Sequence, residues 1–89
     1  MNPENNNLNE MRIVACERLI SSIESFQEEA PNDINLLMAL DRAKFSAAYF
    51  NHNRLQEGRE FFAAANEYFS EYFRTRSSAA YPDFMAWWC

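Results

Sequence analysis

The chain has 89 residues, enough for one small domain and too few for two independent cores. Its 13 acidic and 8 basic residues give a net charge of −5, which argues against an autonomous nucleic-acid-binding protein, because such proteins need a basic face. With one glycine and six β-branched residues, the composition is poor in both turn formers and strand formers and so favours an all-α fold.

The chain opens on a polar, asparagine-rich segment, residues 1–7, which we expect to be a disordered tail. Asn7 followed by Glu10 has the form of a capping box and places the start of a first helix near Leu8. Apolar residues then recur at the three- and four-residue intervals of one helical face until Pro31 ends the segment.

A second helix is predicted to be capped by Asn32 or Asp33 and to run to about Phe50. It is apolar on two sides. Because such a helix needs a neighbour on each side, we expect it to be the central element of the fold.

A third helix is predicted from about Arg54 to Arg76, after a short polar turn that contains His52. Asn53, with Gln56 three residues later, again has the form of a capping box. Short connections force consecutive helices to be antiparallel neighbours, so the three helices should run up, down and up.

The sequence Tyr-Pro-Asp at residues 81–83 suits a short final helical segment, since proline and an acid are both favoured in a first turn. The predicted fold class is therefore all-α, a three-helix up-down-up bundle with a short C-terminal helical segment packed on it. Residues 8–89 should form this single helical domain.

Residues 45–65, with the sequence FSAAYFNHNRLQEGREFFAAA, resemble a tetratricopeptide-type helical hairpin. The large, small and aromatic positions of the repeat are matched by Phe45, Ser46, Tyr49, Gly58, Phe62 and Ala65. Asn53 stands where the turn glycine of the repeat is usual, and Leu55 replaces a tyrosine. The resemblance implies that small residues let the two helices approach closely. It also implies binding of a peptide or helix on a concave face, as in small repeat-type chaperones of bacterial secretion systems.

No catalytic motif is recognisable in the sequence. His52 is the single histidine and is expected to be a surface residue of the turn. Cys16 and Cys89 lack metal-ligand spacing, and Cys16 falls within the apolar face of the first helix, where we expect it to be buried. We therefore expect no enzymatic activity, no cofactor and no metal site.

Acidic residues gather around the first turn, where the glutamates lie at the negative end of the first helix. This acidic patch comprises Glu24, Glu28, Glu29 and Asp33. One interpretation is that Arg74 and Arg76, at the same end of an up-down-up bundle, neutralise the patch within the fold. The other is that the patch attracts a basic partner.

Thirteen of the fourteen aromatic residues lie at or after Phe45. The third helix carries more aromatic surface than one neighbouring helix can cover, and the C-terminal residues add more. The predicted partner-binding residues are Phe61, Tyr68 and Tyr72, expected to face outward, together with Tyr81, Phe84, Trp87 and Trp88. Two interpretations stay open for the C-terminal residues: they cap the core, or they form a protein-contact surface.

These features predict a small non-enzymatic protein-binding factor, such as a chaperone, adaptor or subunit of a bacterial or phage system. It would bind another protein, or a second copy of itself as a homodimer, through the aromatic face and the Trp-rich C-terminus. The alternative is an acidic phage- or plasmid-type inhibitor that masks a basic nucleic-acid-binding site on a target protein. Neither a signal peptide nor a membrane span is evident, so we expect a cytoplasmic protein that contacts no membrane and no nucleic acid directly.

Overall fold

The computed structural model describes residues 3–76, with side chains from Leu8 to Thr75. This part of the chain contains three helices, α1 (Pro3–Gln27), α2 (Ile34–Asn51) and α3 (Leu55–Arg76). α2 packs against both α1 and α3, which confirms it as the central element, and α1 and α3 are the least closely packed pair. The predicted C-terminal segment lies outside the described residues.

The helices are antiparallel to their neighbours in the chain. In each pair of neighbouring helices, the residue numbers of the contacts rise along one helix as they fall along the other. The pairs are Asn9 with Phe50 and Cys16 with Ser46 for α1 and α2, and Ser46 with Gly58 and Arg42 with Tyr68 for α2 and α3. The predicted up-down-up, all-α bundle is therefore confirmed.

α1 begins at Pro3, five residues earlier than predicted. Proline is favoured at the first position of a helix because its missing N–H would have no partner there, and its fixed φ suits the helix. Asn5, Asn6 and Asn7 thus belong to the backbone of α1, so the predicted tail of residues 1–7 overlaps the helix, and the predicted cap at Asn7 was wrong. The helix ends at Gln27, ahead of Pro31, as expected.

Asp33 caps the start of α2. Its backbone is extended, and its carboxylate accepts hydrogen bonds from the backbone N–H groups of Asn35 at 2.9 Å and Leu36 at 3.2 Å. These N–H groups have no partner within the helix, so the carboxylate satisfies donors that would otherwise need water. The choice between Asn32 and Asp33 is thereby settled in favour of Asp33.

The turn between α2 and α3 is a Schellman motif. Asn53 has a φ of 59°, its N–H donates to the carbonyl of Phe50, and the N–H of Arg54 donates to the carbonyl of Tyr49. Asn53 thus takes the left-handed conformation usual for glycine at this position, and it closes α2. It is not the cap of α3, which was the predicted role.

Contacts between small residues link the three helices. The hydroxyl of Ser46, fully buried in α2, donates to the carbonyl of Gly58 in α3 at 2.6 Å. On its other side, the buried sulfur of Cys16 in α1 lies 3.4 Å from the Ser46 oxygen. Because the Ser46 hydroxyl proton is donated to the Gly58 carbonyl, the Cys16 thiol is the donor to Ser46.

Cys16 is fully buried, as predicted. Burial raises the pKa of Cys16 to about 11, which keeps the thiol protonated.

Phe26, near the end of α1, joins α1 to α3. Its ring centroid lies 5.7 Å from that of Phe69, 5.0 Å from that of Phe73 and 5.7 Å from that of Tyr72. The contacts with Phe69 and Phe73 are edge-to-face, a favourable arrangement for aromatic pairs. This aromatic cluster therefore connects the end of α1 to the end of α3.

Candidate functional site

An aromatic surface lies along the outer line of contact between α2 and α3. Phe45 and Tyr49 are four residues apart and so share one side of α2. The ring of Phe61, from α3, stacks on Tyr49 with centroids 5.3 Å apart and an interplanar angle of 17°. The same ring lies 5.6 Å from that of Phe45. One ring of α3 is thus held by two rings of α2.

An arginine lies at each end of this surface. The guanidinium carbon of Arg54 is 5.9 Å from the centroid of the Tyr49 ring, and that of Arg42 is 6.0 Å from the centroid of the Tyr68 ring. Both distances allow a cation–π interaction. We name this surface the aromatic seam: its residues are Arg42, Phe45, Tyr49, Arg54, Phe61 and Tyr68.

Carboxylates hold both arginines of the aromatic seam. Arg54 forms an ion pair with Glu57, and Arg42 forms one with Asp41. The pKa of Glu57 is lowered, first by a hydrogen bond from its own backbone N–H in the first turn of α3 and then by the Arg54 side chain. The ion pair with Glu57 lies next to the contact between Arg54 and the Tyr49 ring.

The aromatic seam is both ordered and open to solvent. Phe45 is 48% exposed, while Tyr49, Phe61 and Tyr68 are half-buried. Each of the four rings contacts another ring or a guanidinium group, so none of them is a freely rotating surface side chain. An aromatic surface that is fixed in place but not covered is suited to contact with another molecule.

The structure places the predicted partner-binding residues in three different situations. Phe61 and Tyr68 lie in the aromatic seam, partly open to solvent. Tyr72 was expected to face outward but is only 5% exposed, because Phe26 of α1 packs on it. The remaining four lie outside the described residues: Tyr81, Phe84, Trp87 and Trp88.

The members of the predicted acidic patch also differ from one another. Asp33 is occupied as the cap of α2. Glu24, Glu28 and Glu29 are exposed, and none of the described side chains forms an ion pair with them. Arg74, expected to neutralise the patch, instead forms an ion pair with Glu71 on its own helix.

Sequence reasoning missed four residues of the aromatic seam: Arg42, Phe45 and Tyr49 of α2, and Arg54 of the turn. Phe45 and Tyr49 do belong to the second apolar side of α2, which was expected to be covered by a neighbour. The four-residue spacing of the two aromatics was the available signal. The sequence does not show that α3 covers this side of α2 only in part.

The described residues hold no group of three or more histidine, cysteine, aspartate or glutamate side chains that could bind a metal ion. His52 is an exposed residue at the end of α2, as predicted. Within the same part of the chain, no helix has the length and apolar character needed to cross a membrane.

No family model, no curated protein and no solved structure matches this chain. The tetratricopeptide resemblance of residues 45–65 therefore has no support from a family match. The close approach that the resemblance implied between two antiparallel helices is present, at the hydrogen bond between Ser46 and Gly58.

Proposed function

We propose that the protein is a small, non-enzymatic, cytoplasmic protein-binding factor of the chaperone, adaptor or subunit kind, of bacterial or phage origin. Its contact surface is the aromatic seam, together with the Trp-rich C-terminal residues 81–88. The observation that carries the proposal is the half-exposed ring of Phe45, held against Phe61 in a fixed aromatic cluster. Aromatic residues and arginine are the side chains most enriched at the energetic centres of protein interfaces.

The order of the aromatic seam before binding supports this function. Rings that are already stacked lose little conformational freedom when a partner covers them, so more of the contact energy remains as affinity. The ion pairs of Arg42 and Arg54 contribute in the same way, because they hold the planar guanidinium groups at the ring faces.

Affinity capture from the native cell, with proteins identified by mass spectrometry, tests the proposal. Phe45→Ala should reduce capture of the principal partner by about 30-fold or more, as expected for a hot-spot residue of about 2 kcal/mol. Ile34→Ala is the matched control, because Ile34 is an exposed apolar residue of the same helix, 66% exposed, outside the aromatic seam. Equal capture by both variants would contradict the proposed contact surface.

A second candidate function is the acidic inhibitor that masks a basic nucleic-acid-binding site. The observation that favours it is the exposure of Glu24, Glu28 and Glu29 with no ion pair to the described side chains. If this function is correct, moderate salt should release the partner and Glu28→Lys with Glu29→Lys should break the complex, since both weaken charge attraction. If the aromatic seam is the contact surface instead, added salt should have little effect on binding of the partner.

A further inference from the structure

An exposed apolar patch lies at the start of α2. Ile34 and Leu37 are 66% and 43% exposed, and Met38 beside them is half-buried. Side chains three and four residues apart are neighbours on a helix surface, so the three form one patch, which we name the α2 patch. Asp41, one turn after Leu37, ends it. The α2 patch contains no charged side chain, so a segment that covers it desolvates no charge there.

The α2 patch leads toward the aromatic seam. Ile34 and Phe45 are eleven residues apart, and so are Met38 and Tyr49. Eleven residues make about three turns, so the members of each pair lie on one side of α2, about 16 Å from each other. The α2 patch and the aromatic seam therefore follow one another along the same side of the helix.

The end of α3 lies level with the α2 patch. Arg42 of α2 contacts the ring of Tyr68 of α3, and the two helices are antiparallel. Ile34 precedes Arg42 by eight residues and so lies about 12 Å nearer one end of the bundle. Arg76 follows Tyr68 by eight residues, about 12 Å toward that same end. Residues 77–89 therefore continue the chain from a point about one interhelical distance, roughly 10 Å, from the α2 patch.

Reach selects the occupant of the α2 patch. Residues 77–80 can span about 13 Å when extended, which is enough to cross from the end of α3 to the outer side of α2. A segment tethered in this way has an effective concentration in the millimolar range, far above that of a second copy or of another protein in dilute solution. The exposed Leu8 is a more distant target. Its neighbour Asn9 contacts Phe50, about 24 Å along α2 from Ile34.

We infer that residues 81–88 dock on the α2 patch. The apolar side chains of this segment are spaced as one side of a helix: Tyr81, Phe84, Met85 and Trp88. Asp83, its one charged residue, belongs to the opposite side. Eight helical residues are about 12 Å long, so a segment that runs from the α2 patch toward Phe45 brings Trp88 close to the aromatic seam. Docking joins the two parts of the proposed contact surface into one, and in this respect it rests on the proposed function.

Tryptophan fluorescence tests the docking, because Trp87 and Trp88 are the two tryptophans of the chain. In a Trp87→Phe chain the emission comes from Trp88 alone, and docking should shield it from acrylamide. Ile34→Ser with Leu37→Ser should raise the quenching constant about twofold or more, because the docked segment loses its apolar contact. Both substituted positions are exposed, so the fold is retained, which circular dichroism checks.

The contact can also be removed from the side of the segment. Phe84→Ser with Met85→Ser leaves the three helices untouched and should raise the quenching of Trp88 to the same extent. Ile34→Ala alone leaves Leu37 and Met38 in the α2 patch, so the segment stays docked in that variant.

A matched pair of positions on α1 provides the control. Met11 and Val14 are 63% and 45% exposed and are also three residues apart, so Met11→Ser with Val14→Ser makes an equivalent change away from the α2 patch. It should leave the quenching of Trp88 unchanged. Phe45→Ala should leave it unchanged as well, so failure of docking and failure of partner capture are separate results.

Three outcomes would overturn the proposal. If Trp88 is quenched as freely as in the urea-unfolded chain, the segment is not docked. If Met11→Ser with Val14→Ser raises the quenching and Ile34→Ser with Leu37→Ser does not, the segment lies on α1. If the protection of Trp88 is lost on about 100-fold dilution, a second copy covers the segment, because only a contact between molecules depends on concentration.

Discussion

Gly58 shows how a single residue sets the distance between two helices. A Cβ atom at this position would lie 2.5 Å from the nearest ring carbon of Phe50, well inside van der Waals contact. The missing side chain leaves room for the Phe50 ring and brings the Gly58 carbonyl within reach of the Ser46 hydroxyl. The φ of Gly58 is not positive, so the position needs glycine for space and not for backbone conformation.

Gly58→Ala should therefore lower the free energy of unfolding by about 1–2 kcal/mol, although alanine is the better helix former. The buried Phe50 ring has to shift to admit the methyl group. Urea unfolding followed by circular dichroism measures the change. In a double-mutant cycle, Phe50→Leu should offset part of the cost of Gly58→Ala, because it removes the ring atoms in conflict. Strict additivity would show that the two side chains do not compete for space.

At the scale of the helix, the ends depend on single polar residues. Asp33→Ala should lower the free energy of unfolding by about 1 kcal/mol, because the N–H groups of Asn35 and Leu36 lose their carboxylate acceptor. Asn32→Ala is the control, since the neighbouring asparagine is exposed and does not cap α2. Thermal or urea unfolding of both variants checks the difference, and an equal loss would contradict the capping role of Asp33.

The helix ends also show what sequence can and cannot specify. Pro31 and the polar turn near His52 are local breaks, and they marked the boundaries well. Asn7 and Asn53 each had the side-chain pattern of a cap, but the pattern does not fix the backbone conformation. Pro3 starts α1 ahead of Asn7, and Asn53 adopts a positive φ to close α2. The same side chain can end one helix or begin the next, and only the hydrogen-bonding pattern distinguishes the two roles.

For the whole molecule, the periodicity of apolar residues sufficed to predict the fold class and the central place of α2. It did not suffice for the site. Tyr68 and Tyr72 lie one turn apart on α3, yet Tyr72 is buried and Tyr68 is partly open to solvent. Of these two rings, only that of Tyr72 packs against Phe26 of α1. Contacts between residues so distant in sequence depend on helix crossing geometry, which periodicity does not contain.

The linkage of α1 to α3 through Phe26 has a consequence for the order of folding. α2 and α3 are joined by a tight turn and are the most closely packed pair, so their hairpin should form early at a small cost in loop-closure entropy, with α1 docking late. Phe26→Ala should then mainly speed unfolding, whereas Gly58→Ala, at the contact of α2 and α3, should mainly slow folding. Stopped-flow kinetics in urea measure both rates. Slower folding of Phe26→Ala would mean that α1 is already docked in the transition state.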